Sequence, residues 1–127
     1  MSRSLHIAIA DDEELMRMYL EETLPDLGHT VVLSARDGAE LVERVHQARP
    51  DLVITDIRMP RLNGMQAAVA ISEKMQVPFL FITGFSLEDY PPRPSLVCTY
   101  LRKPVNRHGL REGIHLAMVQ SRQRWGG

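Results

Sequence analysis

A chain of 127 residues has room for one compact domain with one core, and none for a second domain of ordinary size. An apolar fraction of 44% and a charged fraction of 24% are those of an ordinary soluble globular protein. With 15 basic and 16 acidic residues there is no basic excess of the kind that marks nucleic-acid binders or proteins adsorbing to anionic membranes.

Cys98 is the sole cysteine, which excludes an internal disulfide and favours a reduced, cytoplasmic setting. The apolar run at residues 5–10 is too short to span a membrane. The acids that follow it are unlike a signal-peptide cleavage site.

Residues 5–10 (LHIAIA) read as a buried strand ended abruptly by acids. Residues 13–24 follow with Leu15, Met18 and Tyr19 at helical spacing, and Pro25 is expected to stop that helix. Residues 30–35 (TVVLSA) form a second strand. Asp37-Gly38 has the composition of a hairpin turn, but Leu41, Val42, Val45 and Ala48 repeat with a helical period. Asp37 is therefore assigned as the cap of a helix ending before Pro50.

Residues 52–55 (LVIT) make a third strand that runs into Asp56. A loop with Met59-Pro60 and Asn63-Gly64 comes next, then a helix marked by Met65, Ala68, Ile71 and Met75. Residues 79–83 (FLFIT) and 96–100 (LVCTY) are the fourth and fifth strands. A last helix runs from about Asn106 towards Arg124, with Leu110, Ile114, Ala117 and Met118 on one face. Continuous apolar strands alternating with helices mean a parallel sheet covered on both sides, hence one doubly wound α/β domain over residues 1–127. Residues 84–95 break the rhythm, because Pro91, Pro92 and Pro94 disfavour a helix. The fourth helix is expected to be short or absent.

In such sheets ligands sit beyond the carboxyl ends of the strands, where the winding reverses. Asp11 and Asp12 end the first strand, Asp56 the third and Thr83 the fourth, and Lys103 lies just past the fifth. Three carboxylates in one crevice repel one another unless a cation or a proton intervenes. Hard oxygen donors favour Mg²⁺, and an opposing lysine and hydroxyl suit a transferred phosphoryl group.

Asp11-Asp12-Glu13, Asp56-Ile57-Arg58-Met59-Pro60, Asn63-Gly64, Thr83-Gly84 and Lys103-Pro104 resemble, in order and over nearly the whole chain, the receiver domain of bacterial two-component response regulators. The resemblance implies a flavodoxin-like five-stranded sheet of order 2-1-3-4-5. It implies phosphorylation on Asp56 by a histidine kinase or a histidine phosphotransfer protein, and a module that signals rather than turns over a substrate. It also implies Mg²⁺ held by Asp12, Asp56 and the backbone carbonyl of Arg58, with Asp11 acting through water. Thr83, Gly84 and Lys103 would hold phosphoryl oxygens, with Gly84 leaving the site open, and a cis Lys103–Pro104 peptide would aim the lysine inward. Thr83 and Tyr100 would form the switch, Tyr100 turning into the space that Thr83 vacates. Arg58 and Phe85 flank the site and would tune phosphoryl lifetime.

The rivals are weighed on the same residues. An aspartate-nucleophile phosphatase wants a second acid two positions after the nucleophile, where Arg58 stands. A flavin binder wants a phosphate loop where the acids lie. A phosphate-independent receiver-like module would not need every site residue that is present. His6, His29, His46, His108 and His115 have no metal-ligand spacing and read as surface or helix residues; Cys98 reads as a buried inert thiol. Trp125 either caps the last helix or serves a partner. With no output domain after the last helix, the expectation is a stand-alone receiver or one belonging to a hybrid histidine kinase or a longer regulator. The downstream protein target is unknown and a homodimer is left open.

Overall fold

The apolar runs become a sheet in the computed structural model, which describes residues 3–84 and 95–126. Strands β1 (His6–Ala10), β2 (Thr30–Ala35), β3 (Leu52–Thr55), β4 (Phe79–Thr83) and β5 (Cys98–Arg102) pair in parallel, in the order β2-β1-β3-β4-β5. Helices α1 (Glu14–Asp26), α2 (Gly38–Ala48), α3 (Gly64–Ser72) and α4 (Arg107–Trp125) cover it. This is the doubly wound arrangement expected from the alternation of elements, in the flavodoxin-like strand order that the resemblance implies. The chain leaves β1 towards β2 and returns to β3 on the other side, so the winding reverses between β1 and β3.

Side-chain alternation divides the core in two. Ile7, Ile9, Leu52, Ile54, Leu80 and Ile82 pack with Leu20, Leu24, Leu110 and Ile114 of α1 and α4. Ala8, Ala10, Val53, Phe79 and Phe81 pack with Leu41, Val45, Ala68 and Ile71 of α2 and α3. Every residue of β3 and β4 is buried, which is why those strands carry unbroken apolar runs.

Three boundaries differ from the sequence reading by two residues or more. Pro25 lies inside α1, because a proline in the last turn forfeits only one backbone hydrogen bond. The helix ends at Asp26 and is closed by Gly28, whose φ of +92° permits a paired closure: the Gly28 N–H donates to Pro25 O at 2.9 Å and the His29 N–H to Leu24 O at 3.0 Å. The fifth strand begins and ends two residues later than its apolar run, since β5 is a sheet edge that does not need burial on both faces. Helix α3 stops at Ser72, leaving Met75 half-buried beyond it. The expected short or absent fourth helix falls on residues 85–94, outside the described residues.

His29 is not a surface group. Its half-buried Nδ1 accepts the Leu5 N–H at 3.1 Å, and burial pushes its pKa below the usual 6.5. Cys98 is half-buried in β5, with burial raising its thiol. No helix among the described residues is long and apolar enough to cross a membrane.

Asp37 caps α2 as read from the sequence, its Oδ1 accepting the Glu40 N–H at 2.8 Å. The same carboxylate receives Arg61 Nε at 2.9 Å and a second guanidinium nitrogen at 3.1 Å, tying the β3–α3 loop to α2. These bonds, Arg61 first, hold the Asp37 carboxyl below its usual 3.8. Asp37→Ala is expected to cost about 1–2 kcal/mol in urea unfolding at pH 7. Because the folded pKa is the lower one, the deficit should persist above about pH 4 and fade as wild-type Asp37 takes up its proton.

Candidate functional site

Three residues of the crevice are set by the last hydrogen bond of a strand ladder. The Asp11 N–H donates to Ala35 O of β2 at 3.1 Å, the Asp56 N–H to Ala10 O of β1 at 3.0 Å, and the Lys103 N–H to Thr83 O of β4 at 2.9 Å. Each side chain therefore stands just past the carboxyl end of the sheet, and residues far apart in sequence converge there.

Asp11, Asp12 and Asp56 each bring a carboxylate oxygen within 4.8 Å of the others. Asp11 and Asp56 are buried and Asp12 is exposed. Lys103 Nζ donates to Glu13 Oε1 at 2.5 Å, Asp56 Oδ2 at 2.9 Å and Asp11 Oδ2 at 3.3 Å. Asp56 Oδ1 accepts the Ile57 N–H at 2.7 Å, which fixes the rotation of that carboxylate.

The electrostatics show a shortage of positive charge. Burial drives the Asp11 carboxyl up from 3.8 to about 6. The Glu13 N–H and Lys103 pull it down and the Asp56 charge adds to the rise. Burial alone would lower Lys103, but its bonds to Glu13 and Asp56 and the charges of Asp11 and Asp56 outweigh this and hold it well above the usual lysine range. The Lys103 ammonium pairs with two buried carboxylates and one exposed one, and Asp12 brings a fourth acid beside Asp11 and Asp56. A clustered set of hard oxygen donors with an unmet need for positive charge fits a divalent cation.

The loop after β3 is tied down on both sides. Thr55 Oγ1 donates to Asp56 O at 2.8 Å and the Gly64 N–H to Ile57 O at 2.6 Å. Asn63 and Gln66 form a reciprocal capping box at the start of α3. A Cβ at Gly64 would lie 2.0 Å from Asp56 O, so glycine is what lets α3 begin against the Asp56 backbone. Arg58 lines a shallow cleft with Asp12, Met59, Pro60 and Asn63, beside the acids.

The other residues singled out in the sequence sit around this group. Thr83 is fully buried at the end of β4. Gly84 follows it, and a Cβ there would meet no described atom within 4 Å. The Lys103–Pro104 peptide is cis. Tyr100 is half-buried, its ring tilted against Phe81 with centroids 5.4 Å apart. Phe85 lies outside the described residues.

Two contributors were not assigned a role from sequence. Glu13 appeared only as part of an acidic run, yet it bonds Lys103. Arg17 donates through Nη1 to the Asp11 carbonyl at 2.6 Å. Its position four residues after Glu13, one helical turn on, is the signal that places it over the site.

The sequence model described as the response regulator receiver domain matches residues 7–115. The transcriptional regulatory protein PdtaR of Mycobacterium tuberculosis is 40% identical over 119 residues, which cover 92% of this chain and 58% of PdtaR. The crystal structure of the anti-anti-sigma factor PhyR from Bartonella quintana superposes with a TM-score of 0.82 at 29% identity, over 98% of this chain and 51% of that one. The solution structure of the receiver domain of PhyR from Erythrobacter litoralis gives a TM-score of 0.78 at 29% identity, over 91% of both chains. This chain thus spans little more than half the length of PdtaR and of the Bartonella PhyR.

Proposed function

We infer the chemistry of this crevice from one premise: the chain belongs to the response regulator receiver domain family. On that premise Asp56 is the phosphoacceptor. A carboxylate oxygen of Asp56 attacks the phosphorus of a phosphohistidine on a histidine kinase or histidine phosphotransfer protein. The new O–P bond replaces the P–N bond, and the imidazole nitrogen leaves with the electron pair. The observation that carries this reading is Lys103 Nζ, held 2.9 Å from Asp56 Oδ2 inside a cluster of acids.

Asp12, Asp56 and the Arg58 carbonyl would hold Mg²⁺, with Asp11 acting through water. When bound, the metal neutralises charge on the phosphoryl oxygens. Lys103 supplies a fixed positive charge on the opposite side, and the Thr83 hydroxyl and Gly84 N–H donate to phosphoryl oxygens. Among the described residues no atom lies within 4 Å of a Cβ at Gly84, which supports that last role. Movement of Thr83 towards the phosphoryl group lets Tyr100 turn inward from its half-buried position on Phe81, converting a local charge change into a new surface. Residues 1–127 act in this reading as a cytoplasmic signalling module. Its downstream target is a protein, its oligomeric state is left open, and turnover of a separate substrate is no part of its role.

The test uses beryllofluoride, a phosphoryl mimic, with Mg²⁺. Wild-type protein is expected to give large Mg²⁺-dependent amide shifts by NMR around residues 56, 83 and 103, and Asp56→Asn none. Incubation with acetyl phosphate should add one PO₃ unit by mass to the wild type alone. A silent wild type, or an Asp56→Asn variant that responds equally, would favour a receiver-like module that works without phosphate.

A further inference from the structure

Lys103 has three N–H donors, and each already has an acceptor: Glu13 Oε1, Asp56 Oδ2 and Asp11 Oδ2. The donor that reaches Asp56 Oδ2 can pass to a phosphoryl oxygen on that same carboxylate, but a second phosphoryl bond needs Asp11 or Glu13 to let go. Asp11 is 1% exposed, so an oxygen released there would stay buried without its partner. The Glu13 side chain is 63% exposed and can pass into water at little cost. Its backbone makes the point sharper. Glu13 occupies the N-cap position of α1 with φ −87° and ψ 116°, but its side chain caps nothing. Its N–H is committed to Asp11 Oδ1 at 2.9 Å, and its carboxylate turns away from the helix to reach Lys103.

We propose that Glu13 is a positioning residue for phosphoryl binding: its carboxylate holds, in the resting protein, the Lys103 donor that a phosphoryl oxygen takes over. This rests on the receiver chemistry proposed for Asp56. Glu13 opposes the phosphoryl group twice, first by competing for Lys103 and then, once released, by placing a negative charge near the incoming anion. It thereby sets how tightly the site holds a phosphoryl group, and keeps Lys103 satisfied until one arrives.

Glu13→Gln removes the charge and leaves the backbone bond to Asp11 in place; Glu13→Ala removes the acceptor as well. Beryllofluoride is titrated into both variants and the wild type at saturating Mg²⁺, at low and at high salt, with amide shifts as the readout. Both variants are expected to bind about threefold to fivefold more tightly than wild type at low salt, the range set by one exposed ion pair. The advantage should shrink at high salt, because it arises from charge. A merely structural role would not produce that salt dependence. Equal or weaker binding by the variants beside a responsive wild type overturns the proposal, as does tighter binding that ignores salt. No response from the wild type defeats the receiver chemistry itself, and the role of Glu13 with it.

Discussion

Asp11→Asn is expected to stabilise the metal-free protein by about 2–3 kcal/mol at pH 7. The folded structure raises the Asp11 carboxyl from 3.8 to about 6, chiefly by burial, so at neutral pH the charged form is carried at a cost of that order. Asparagine keeps an oxygen for the Glu13 N–H and drops the charge, while Lys103 retains Asp56 and Glu13. The sign follows from linkage. Between about pH 6 and pH 4 folded Asp11 binds a proton that the unfolded chain does not, so wild-type stability gains on the variant as pH falls. Urea unfolding in EDTA at pH 7.5, 6 and 5 should show the gap narrowing towards acid. Saturating Mg²⁺ at pH 7.5 should narrow it too, by binding the folded wild type. A variant less stable than wild type at pH 7.5 would mean that Asp11 is not under electrostatic stress. In the proposed reading the fold carries this destabilised carboxylate because metal binding uses its charge.

Gly64→Ala is expected to cost about 3 kcal/mol and to impair phosphoryl acceptance together. The added Cβ would sit 2.0 Å from Asp56 O and 3.1 Å from Ile57 Cα, both main-chain atoms with no side-chain freedom to yield. Relief requires either lifting the start of α3 off the Gly64 N–H to Ile57 O bond or pulling Asp56 from its place beside Ala10. The first loosens the fold; the second misplaces the proposed phosphoacceptor. Chemical denaturation and beryllofluoride titration would separate the two. Gly84→Ala is the control, because a Cβ there meets no described atom within 4 Å and unfolding should be nearly unchanged. Wild-type stability and binding in Gly64→Ala would show that the loop relaxes more easily than its hydrogen bonds imply.

Much of this architecture is legible in the residues because burial writes directly into composition. β3 and β4 are covered on both faces, so their apolar runs coincide with the strands. β5 is an edge, its polar Arg102 extends the ladder past the apolar run, and composition alone misplaces it by two residues. Pro25 misleads for a different reason. A proline rule knows that a donor is missing but not how near the helix end the loss falls, and Gly28 was the better stop signal. The crevice was legible through Asp11, Asp12, Asp56, Thr83 and Lys103, since chemistry at strand ends is expected in doubly wound sheets. The bond from Glu13 to Lys103 was not, because it joins residues 90 apart and depends on a side-chain rotation that no periodicity encodes.

Asp11, Asp56 and Lys103 are anchored through their amide nitrogens, which every residue except proline possesses. The strand ladder therefore does not require those particular side chains, although Asp11 and Asp56 also accept the Glu13 and Ile57 N–H groups. A lineage could exchange the acids or the amine by point mutation, abandon phosphate and keep the same β-sheet underneath. Loss of signalling chemistry would then leave no trace in the backbone, only in three interchangeable fittings.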